Sequence, residues 1–128
     1  MIRPPYGAVV AEHFRRPLNR GPLPSADCSA EGASPVCGDR VRIALALTVD
    51  HQHIADARFT GDACAICVAA ASLLTEHLRG KAVADVRSLT AASALALLGS
   101  DIPAARRGCA TLPLEAAQRA LASVAAST

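Results

Sequence analysis

The side chains in this sequence best suited to chemistry are five thiols and one nearby carboxylate. Cysteines stand at positions 28, 37, 64, 67 and 109 of the 128-residue chain, and Asp39 follows Cys37 by two residues in a tight turn. An odd number of cysteines without a secretion signal disfavours a disulfide framework and favours free thiols, held for metal binding or for nucleophilic chemistry. Thiolates bind zinc and iron well, and a carboxylate can complete such a site.

Cys37, Cys64 and Cys109 all lie at predicted ends of secondary-structure elements, where loops can direct them to a common point. The intervals between them, 27 and 45 residues, match no short zinc-finger spacing, so convergence is a possibility and not a requirement of the spacing. Asp39, which follows a glycine, is by itself most often a turn residue. The pattern therefore indicates a candidate metal site whose ligands must be brought together by the fold.

The surroundings of these thiols favour reactivity. A thiol at a helix N-terminus is stabilised as a thiolate by the helix dipole and by unpaired N–H groups. Arg40 lies close to Cys37 in sequence, and Arg106 and Arg107 precede Cys109. These guanidinium groups would lower the thiol pKa values further if they face the same pocket.

The remaining cysteines and the histidines have simpler interpretations. Cys28 lies in a predicted strand and is expected in the core as a small apolar residue. Cys67 follows Cys64 by one helical turn, and such a C-x-x-C pair can be redox-active, although no βαβ pattern precedes it. Three histidines are expected in a solvated turn or on a helix face: His51, His53 and His77.

Alternating apolar residues predict a small antiparallel sheet. The clearest strand spans 41–50, with its odd-numbered residues, through Val49, on one buried face. A second strand over 54–60 is predicted to pair with the first as a hairpin. Its odd-numbered residues, beginning with Ala55, are expected on the apolar face. A short first strand is predicted over 27–32.

Helical patterns precede and follow this sheet. The segment 64–79 carries no glycine or proline and ends at Gly80, a suitable residue to terminate a helix. Thr90 is a suitable N-cap for a short helix that Gly99 would end. The predicted helices span 6–15, 64–79, 81–89, 90–98, and a last segment that starts between positions 109 and 113 because proline suits only a first turn.

Composition bounds the function. The net charge is +2 and the pI is near 8.4, too mild to indicate nucleic-acid binding. No stretch approaches the roughly 18 to 20 apolar residues of a membrane span, and the first residues lack the apolar core of a signal peptide. We therefore expect one cytoplasmic domain over 1–128, with an N-terminal helix and loop over 1–24. Its 52% hydrophobic content is largely alanine, which requires close backbone packing.

Four ordered motifs resemble those of the iron–sulfur cluster assembly scaffolds of the IscU, SufU and NifU N-terminal type. The opening pattern Y-x₆-H-[YF]-x₂-P-x-N-x-G fits from Tyr6 to Gly21, and residues 35–39 are similar to the family's P-x-C-G-D. The segment 61–64 with the small-residue helix after it resembles the second cysteine motif. Residues 106–112, which include C-A-T-L, resemble the third, in its SufU form.

The resemblance implies that Cys37, Asp39, Cys64 and Cys109 are the metal or cluster ligands. It implies an α+β fold in which a three-stranded antiparallel sheet has helices packed on one side. The implied function is a scaffold, not an enzyme, that accepts sulfur from a cysteine desulfurase, builds a labile [2Fe–2S] cluster or binds iron, and passes the cluster to apo-proteins. Cys109 is the first choice as persulfide acceptor, and the chain is expected as a monomer or weak homodimer.

Two other functions stay open. SufU-type proteins hold zinc with the same four residues and serve as sulfur acceptors that stimulate the desulfurase. A purely structural zinc module would use the same ligands but would leave the basic residues near Cys109 without a role.

The chain also departs from each branch of the family. Gly108 stands where IscU proteins have a histidine, residues 102–106 replace their chaperone-binding L-P-P-V-K segment, and the SufU insertion between the second and third cysteines is absent.

Overall fold

A computed structural model of the chain describes residues 7–34, 38–99 and 102–125. Predictions that fall on Tyr6 and on Pro35, Val36 and Cys37 lie outside these ranges. The helices and strands, in chain order, are α1 (Ala8–Arg15), β1 (Cys28–Ala33), β2 (Arg40–Leu47), β3 (Ile54–Thr60), α2 (Ala65–Leu78), α3 (Val83–Arg87), α4 (Ala91–Leu98), a 3₁₀ turn (Ala104–Arg106) and α5 (Arg107–Ala125).

The three strands form one antiparallel sheet in the order β1–β2–β3, and the helices pack on one side of it. This confirms the predicted fold class. The alternation of β2 decides which side is covered, because Val41, Ile43 and Leu45 are buried on the side that packs against α5, while Arg40 and Arg42 are exposed on the opposite face.

The long strand ends earlier than predicted. β2 stops at Leu47, and Val49, expected on the buried face, is fully exposed. Thr48 Oγ1 donates to Asp50 Oδ1 at 2.6 Å, and the same oxygen accepts the backbone N–H of Gln52 at 3.0 Å. These local hydrogen bonds close a turn in place of the last strand residues.

A β-bulge changes the face of the returning strand. Leu47 pairs with Ile54 and Ala46 pairs with Asp56, so Ala55 has no opposite residue in the ladder. Ile54 takes the core position, and Ala55 is exposed. The prediction that placed Ala55 on the apolar face is therefore wrong.

Small residues let the two long helices pack closely against the sheet and each other. Six alanines are essentially fully buried along α2 and α5: Ala69, Ala70, Ala71, Ala116, Ala117 and Ala120. Gly32 of β1 is also buried, and a Cβ there would lie 3.0 Å from Leu112 Cδ1 of α5. The alanine-rich composition therefore gives a core of closely packed backbones, as expected.

The last helix begins before its predicted range. α5 starts at Arg107, directly after the 3₁₀ turn, so Pro113 is inside the helix and not in its first turn. The prediction of a start between positions 109 and 113 is wrong because the proline is tolerated in the helix interior. Pro113 has no N–H to donate to the carbonyl of Cys109, four residues earlier.

The short helix α4 behaves as predicted. Thr90 Oγ1 accepts the N–H of Ser93 at 3.3 Å in a capping box, and Gly99 ends the helix with a φ of 61°. No helix among the described residues combines the length and apolar character that crossing a bilayer requires.

Candidate metal centre

Three of the four predicted ligands meet at one end of the sheet. A carboxylate oxygen of Asp39 and the thiols of Cys64 and Cys109 all lie within 4.8 Å of one another. In a tetrahedral zinc–sulfur site the ligand atoms are about 3.7 Å apart, so a small adjustment would let these three atoms bind one ion. The fourth predicted ligand, Cys37, lies outside the described residues.

Asp39 is held at the beginning of β2. Its carboxyl group is buried, with 5% of the residue exposed, and Oδ1 accepts the backbone N–H of Cys64 at 2.9 Å. Gly38, at φ 72°, turns the chain into the strand, and the N–H of Ser34 donates to the Asp39 carbonyl at 2.9 Å. The carboxylate is therefore oriented toward Cys64 before any metal binds.

Cys64 is positioned by the close approach of two strands. At Gly61, with φ 135°, a Cβ would overlap the carbonyl oxygen of Arg40, so only glycine fits. The N–H of Arg40 donates to the carbonyl of Asp62 at 2.8 Å. Cys64 follows as the N-cap of α2, beside Asp39.

Cys109 comes from the first turns of α5 and is 3% exposed. The close contact of Gly32 with Leu112 seats α5 on β1, and Arg119 Nη1 donates to the carbonyl of Glu31 at 2.8 Å farther along the same strand. These two contacts hold the helix against the sheet edge, which brings its buried thiol to the carboxylate of Asp39.

The charge environment of Cys64 differs from the prediction. Burial raises the pKa of the Cys64 thiol, and the Asp39 carboxylate raises it further, while the N–H groups of Cys67 and Ile66 act in the opposite direction. The expectation that the helix N-terminus favours the thiolate is thus wrong for the metal-free protein, because burial and the neighbouring negative charge outweigh it. A bound cation would reverse this balance.

The predicted arginines lie at the periphery. Arg40 borders a cleft of about 330 Å³, which it lines together with Ser34, Gly38 and Asp39. Arg107 is exposed, and its Nε donates to the carbonyl of Ile102 at 3.2 Å.

The other two described cysteines belong to the core. Cys28 and Cys67 are buried, and none of the four described cysteines forms a disulfide bond. Burial, with a smaller contribution from the charge of Asp27, raises the pKa of Cys28 to about 11, so this thiol is neutral at physiological pH. The expectation that Cys28 is a core residue is confirmed.

A hydrogen-bond network that sequence reasoning did not assign anchors the N-terminal segment to α2. Ser72, fully buried, accepts the N–H of Leu18 at 2.8 Å, and its Oγ lies 2.7 Å from His13 Nδ1. Asn19 donates to Thr75 Oγ1 at 3.2 Å. In the sequence, the only sign of this network is the spacing of His13, Pro17 and Asn19 within the opening motif.

Comparison with known proteins finds a family and relatives that match most of the chain. The sequence model of the family described as NifU-like N terminal domain matches residues 5–128. The iron-sulfur cluster assembly scaffold protein IscU 1 of Archaeoglobus fulgidus is 31% identical over 116 residues, which cover 91% of this chain and 74% of the relative. The zinc-dependent sulfurtransferase SufU of Bacillus subtilis is 33% identical over 85 residues, 66% of this chain and only 56% of that relative's own length.

Two solved structures have the same fold. The N-terminal NifU-like protein of Brucella abortus superposes with a TM-score of 0.78 at 18% identity and 96% coverage of both chains. A SufU-type protein of Fervidobacterium islandicum gives 0.75 at 21% identity, covering 91% of this chain and 96% of that one. With the family match spanning nearly the whole sequence, the chain belongs to the family of NifU-like N-terminal domains.

Proposed function

We propose that this protein is a scaffold for iron–sulfur cluster assembly, and not an enzyme in the strict sense. It accepts sulfur from a cysteine desulfurase, assembles a labile [2Fe–2S] cluster and passes the cluster to apo-proteins. The convergence of Asp39, Cys64 and Cys109, from three distant parts of the chain, is the observation that carries the proposal. Relatives named as cluster assembly scaffolds support it.

In this proposal Cys37 is the fourth ligand. It precedes the described turn at Gly38 by one residue, two positions from Asp39, so the same turn would present both side chains. Three thiolates suit iron and sulfide, while the carboxylate is a harder and more weakly matched ligand. Such a mixed set holds a cluster but lets it leave, as a carrier requires.

Sulfur arrives as a persulfide on the desulfurase. The thiolate of Cys109 attacks the outer sulfur atom, the new S–S bond forms on Cys109, and the desulfurase cysteine leaves as a thiolate. Because Cys109 is 3% exposed, the first turns of α5 must open before the attack. Pro113 weakens this segment, since it cannot donate to the carbonyl of Cys109, and we expect Pro113→Ala to slow sulfur transfer.

Mass spectrometry after incubation with a desulfurase and cysteine tests the acceptor. The added sulfur should appear on Cys109 first and on Cys37 second, and Cys109→Ser should abolish most of it. Cys28→Ala is the matched control, because that thiol is buried away from the ligand cluster and its loss should leave the transfer unchanged. Sulfur found only on Cys28 or Cys67 would contradict the assignment.

The second candidate is a zinc-bound sulfur acceptor that stimulates the desulfurase. It is favoured by the C-A-T-L sequence after position 108 and by the zinc-dependent sulfurtransferase among the relatives. The two described thiols and the carboxylate also fit zinc, which Cys37, Asp39, Cys64 and Cys109 would hold in a tetrahedron. Resident zinc would stabilise the thiolates and orient them for transfer.

Two measurements separate these candidates. Anaerobic reconstitution with iron and sulfide should give a reddish-brown protein with visible absorption if it is a scaffold, whereas a zinc-only sulfur acceptor stays colourless. Metal analysis of protein purified without added metal identifies the resident ion. Colourless protein with one tightly bound zinc would overturn the scaffold proposal in favour of the sulfur acceptor.

A further inference from the structure

A second concave site lies on the open face of the sheet, opposite the helices. This pocket has a volume of about 210 Å³ and is formed by the loop that begins at Gly21 together with outward-facing residues of all three strands. It shares no lining residue with the cleft beside Asp39. Neither the metal centre nor the sulfur-transfer step uses it.

Arg42 contributes one positive charge to the pocket. It pairs in register with Glu31 of β1, yet its Nη1 donates instead to Ser29 Oγ, on the pocket wall, at 2.9 Å. Within the described ranges no carboxylate oxygen lies within 4.0 Å of Arg42. Its guanidinium group therefore keeps donors for a further acceptor.

Arg58 contributes the second charge, from the adjacent strand. Its Nε is buried without a hydrogen-bond acceptor in the described structure, and the nearest carboxylate oxygen, Asp56 Oδ2, is 3.7 Å away. Asp56 is already bound by Arg79, at 2.6 Å. One carboxylate thus serves two guanidinium groups, and the Arg58 side of the pocket stays electropositive.

The rest of the pocket is apolar or carries hydroxyl groups. Pro22, Leu23 and Ala44 form an aliphatic wall, and Thr60 supplies a hydroxyl group opposite Arg42. No acidic residue occurs among the described residues that line it. Its volume is below the range of about 300–1,000 Å³ typical of drug-sized and cofactor sites, so a nucleotide is too large.

We propose that this pocket binds a carboxylate carried on a short aliphatic chain. The two guanidinium groups bind the carboxylate through charge-assisted hydrogen bonds, and the aliphatic wall packs against the chain. The same chemistry is present in a free dicarboxylic acid and in a glutamate side chain of an acidic peptide.

NMR titration of the ¹⁵N-labelled full chain at low salt tests the proposal and separates these sources. Glutarate should produce saturable shifts at the amides of Ser29, Ala44 and Thr60, and its uncharged analogue glutaramide should not. A blocked Ala-Glu-Ala peptide is the second probe, and inorganic phosphate is the third. Binding of glutarate supports a small acid as the ligand, and binding of the peptide alone supports an acidic segment.

Variants assign the binding to the two arginines. Arg42→Gln and Arg58→Gln should each weaken binding at least about tenfold, the loss expected for one charged hydrogen bond. Arg15→Gln is the matched control, since it removes the same charge from an exposed position on α1 and should leave binding unchanged. Ala44→Glu, on the open face opposite Arg58, should fold and should abolish binding by placing a carboxylate inside the pocket.

Several results would overturn the proposal. The first is that neither glutarate nor the peptide binds saturably. The second is that phosphate binds as tightly as glutarate. The third is that glutarate binding is undiminished in folded Arg42→Gln/Arg58→Gln protein. Should that double variant fail to fold, as judged by circular dichroism, undiminished binding in Ala44→Glu overturns it equally.

Discussion

Replacing Asp39 separates its structural role from its role as a ligand. In the metal-free protein its Oδ1 accepts the backbone N–H of Cys64 at 2.9 Å, and the residue is only 5% exposed. Asp39→Ala removes this acceptor and leaves the N–H unpaired, whereas Asp39→Asn keeps an oxygen atom in the same place. The two substitutions remove the same charge, so their difference isolates the hydrogen bond.

The expected change in the free energy of unfolding follows from two opposing contributions. A hydrogen bond to a charged acceptor contributes about 1.5–3 kcal/mol, and burying the carboxylate costs part of this because the charge loses water. We expect Asp39→Ala to lower the free energy of unfolding by a net of about 1–2 kcal/mol and Asp39→Asn by less than about 1 kcal/mol. Urea unfolding of both metal-free variants measures the difference.

The cluster should respond in the opposite direction. Loss of the weakly matched oxygen ligand should make the reconstituted [2Fe–2S] cluster persist longer in both variants, measured by the decay of its visible absorption in the presence of an acceptor protein. Without the negative charge of Asp39 the pKa of Cys64 should fall, which the pH profile of thiol alkylation would show. A shorter-lived cluster in the variants, or equal destabilisation by Asn and Ala, would refute this reasoning.

Three further predictions concern the framework around the site. Gly61→Ala should lower the free energy of unfolding by about 3 kcal/mol or more, because the added Cβ would overlap the backbone of Arg40. Gly99→Ala, with open space around the added Cβ, should lower it by only about 1 kcal/mol. Denaturant unfolding of the two variants measures the difference. The pKa of Cys28 is raised in the folded state, so the contribution of this thiol to stability is present below about pH 9 and is lost as the pH rises toward 11. The protein should therefore lose about 2–3 kcal/mol of its free energy of unfolding over this pH range because of Cys28, and Cys28→Ala should not show this loss. An unchanged pH dependence of stability in the variant would contradict this. Ser72→Ala should destabilise the protein by about 1–3 kcal/mol and expose the N-terminal segment to proteolysis, because the hydroxyl group joins that segment to α2.

The predictions of secondary structure that were wrong have identifiable physical causes. The end of β2 and the exposure of Ala55 depend on a side-chain turn and on a bulge, and both override the period-two pattern. Pro113 was expected to mark a helix start, but the contacts of α5 with the sheet hold the helix together across the missing hydrogen bond.

Much of the fold can be predicted from the pattern of neighbouring residues in the sequence. The alternation through Val41, Ile43 and Leu45 determines the covered face of the sheet, and Thr90 and Gly99 determine the ends of α4, because backbone period and capping depend on neighbouring residues. The types of residue available for metal binding are likewise evident from the sequence.

Only the tertiary structure decided which of these residues meet. Asp39, Cys64 and Cys109 are separated by tens of residues, and their convergence depends on the close approach of β2 to Gly61 and of α5 to Gly32. The same packing buries Asp39 and Cys109 and partly buries Cys64, and this partial burial raises the pKa of Cys64 against the effect of its helix N-terminus. Proximity and burial arise from contacts between distant segments, so no local pattern specifies them.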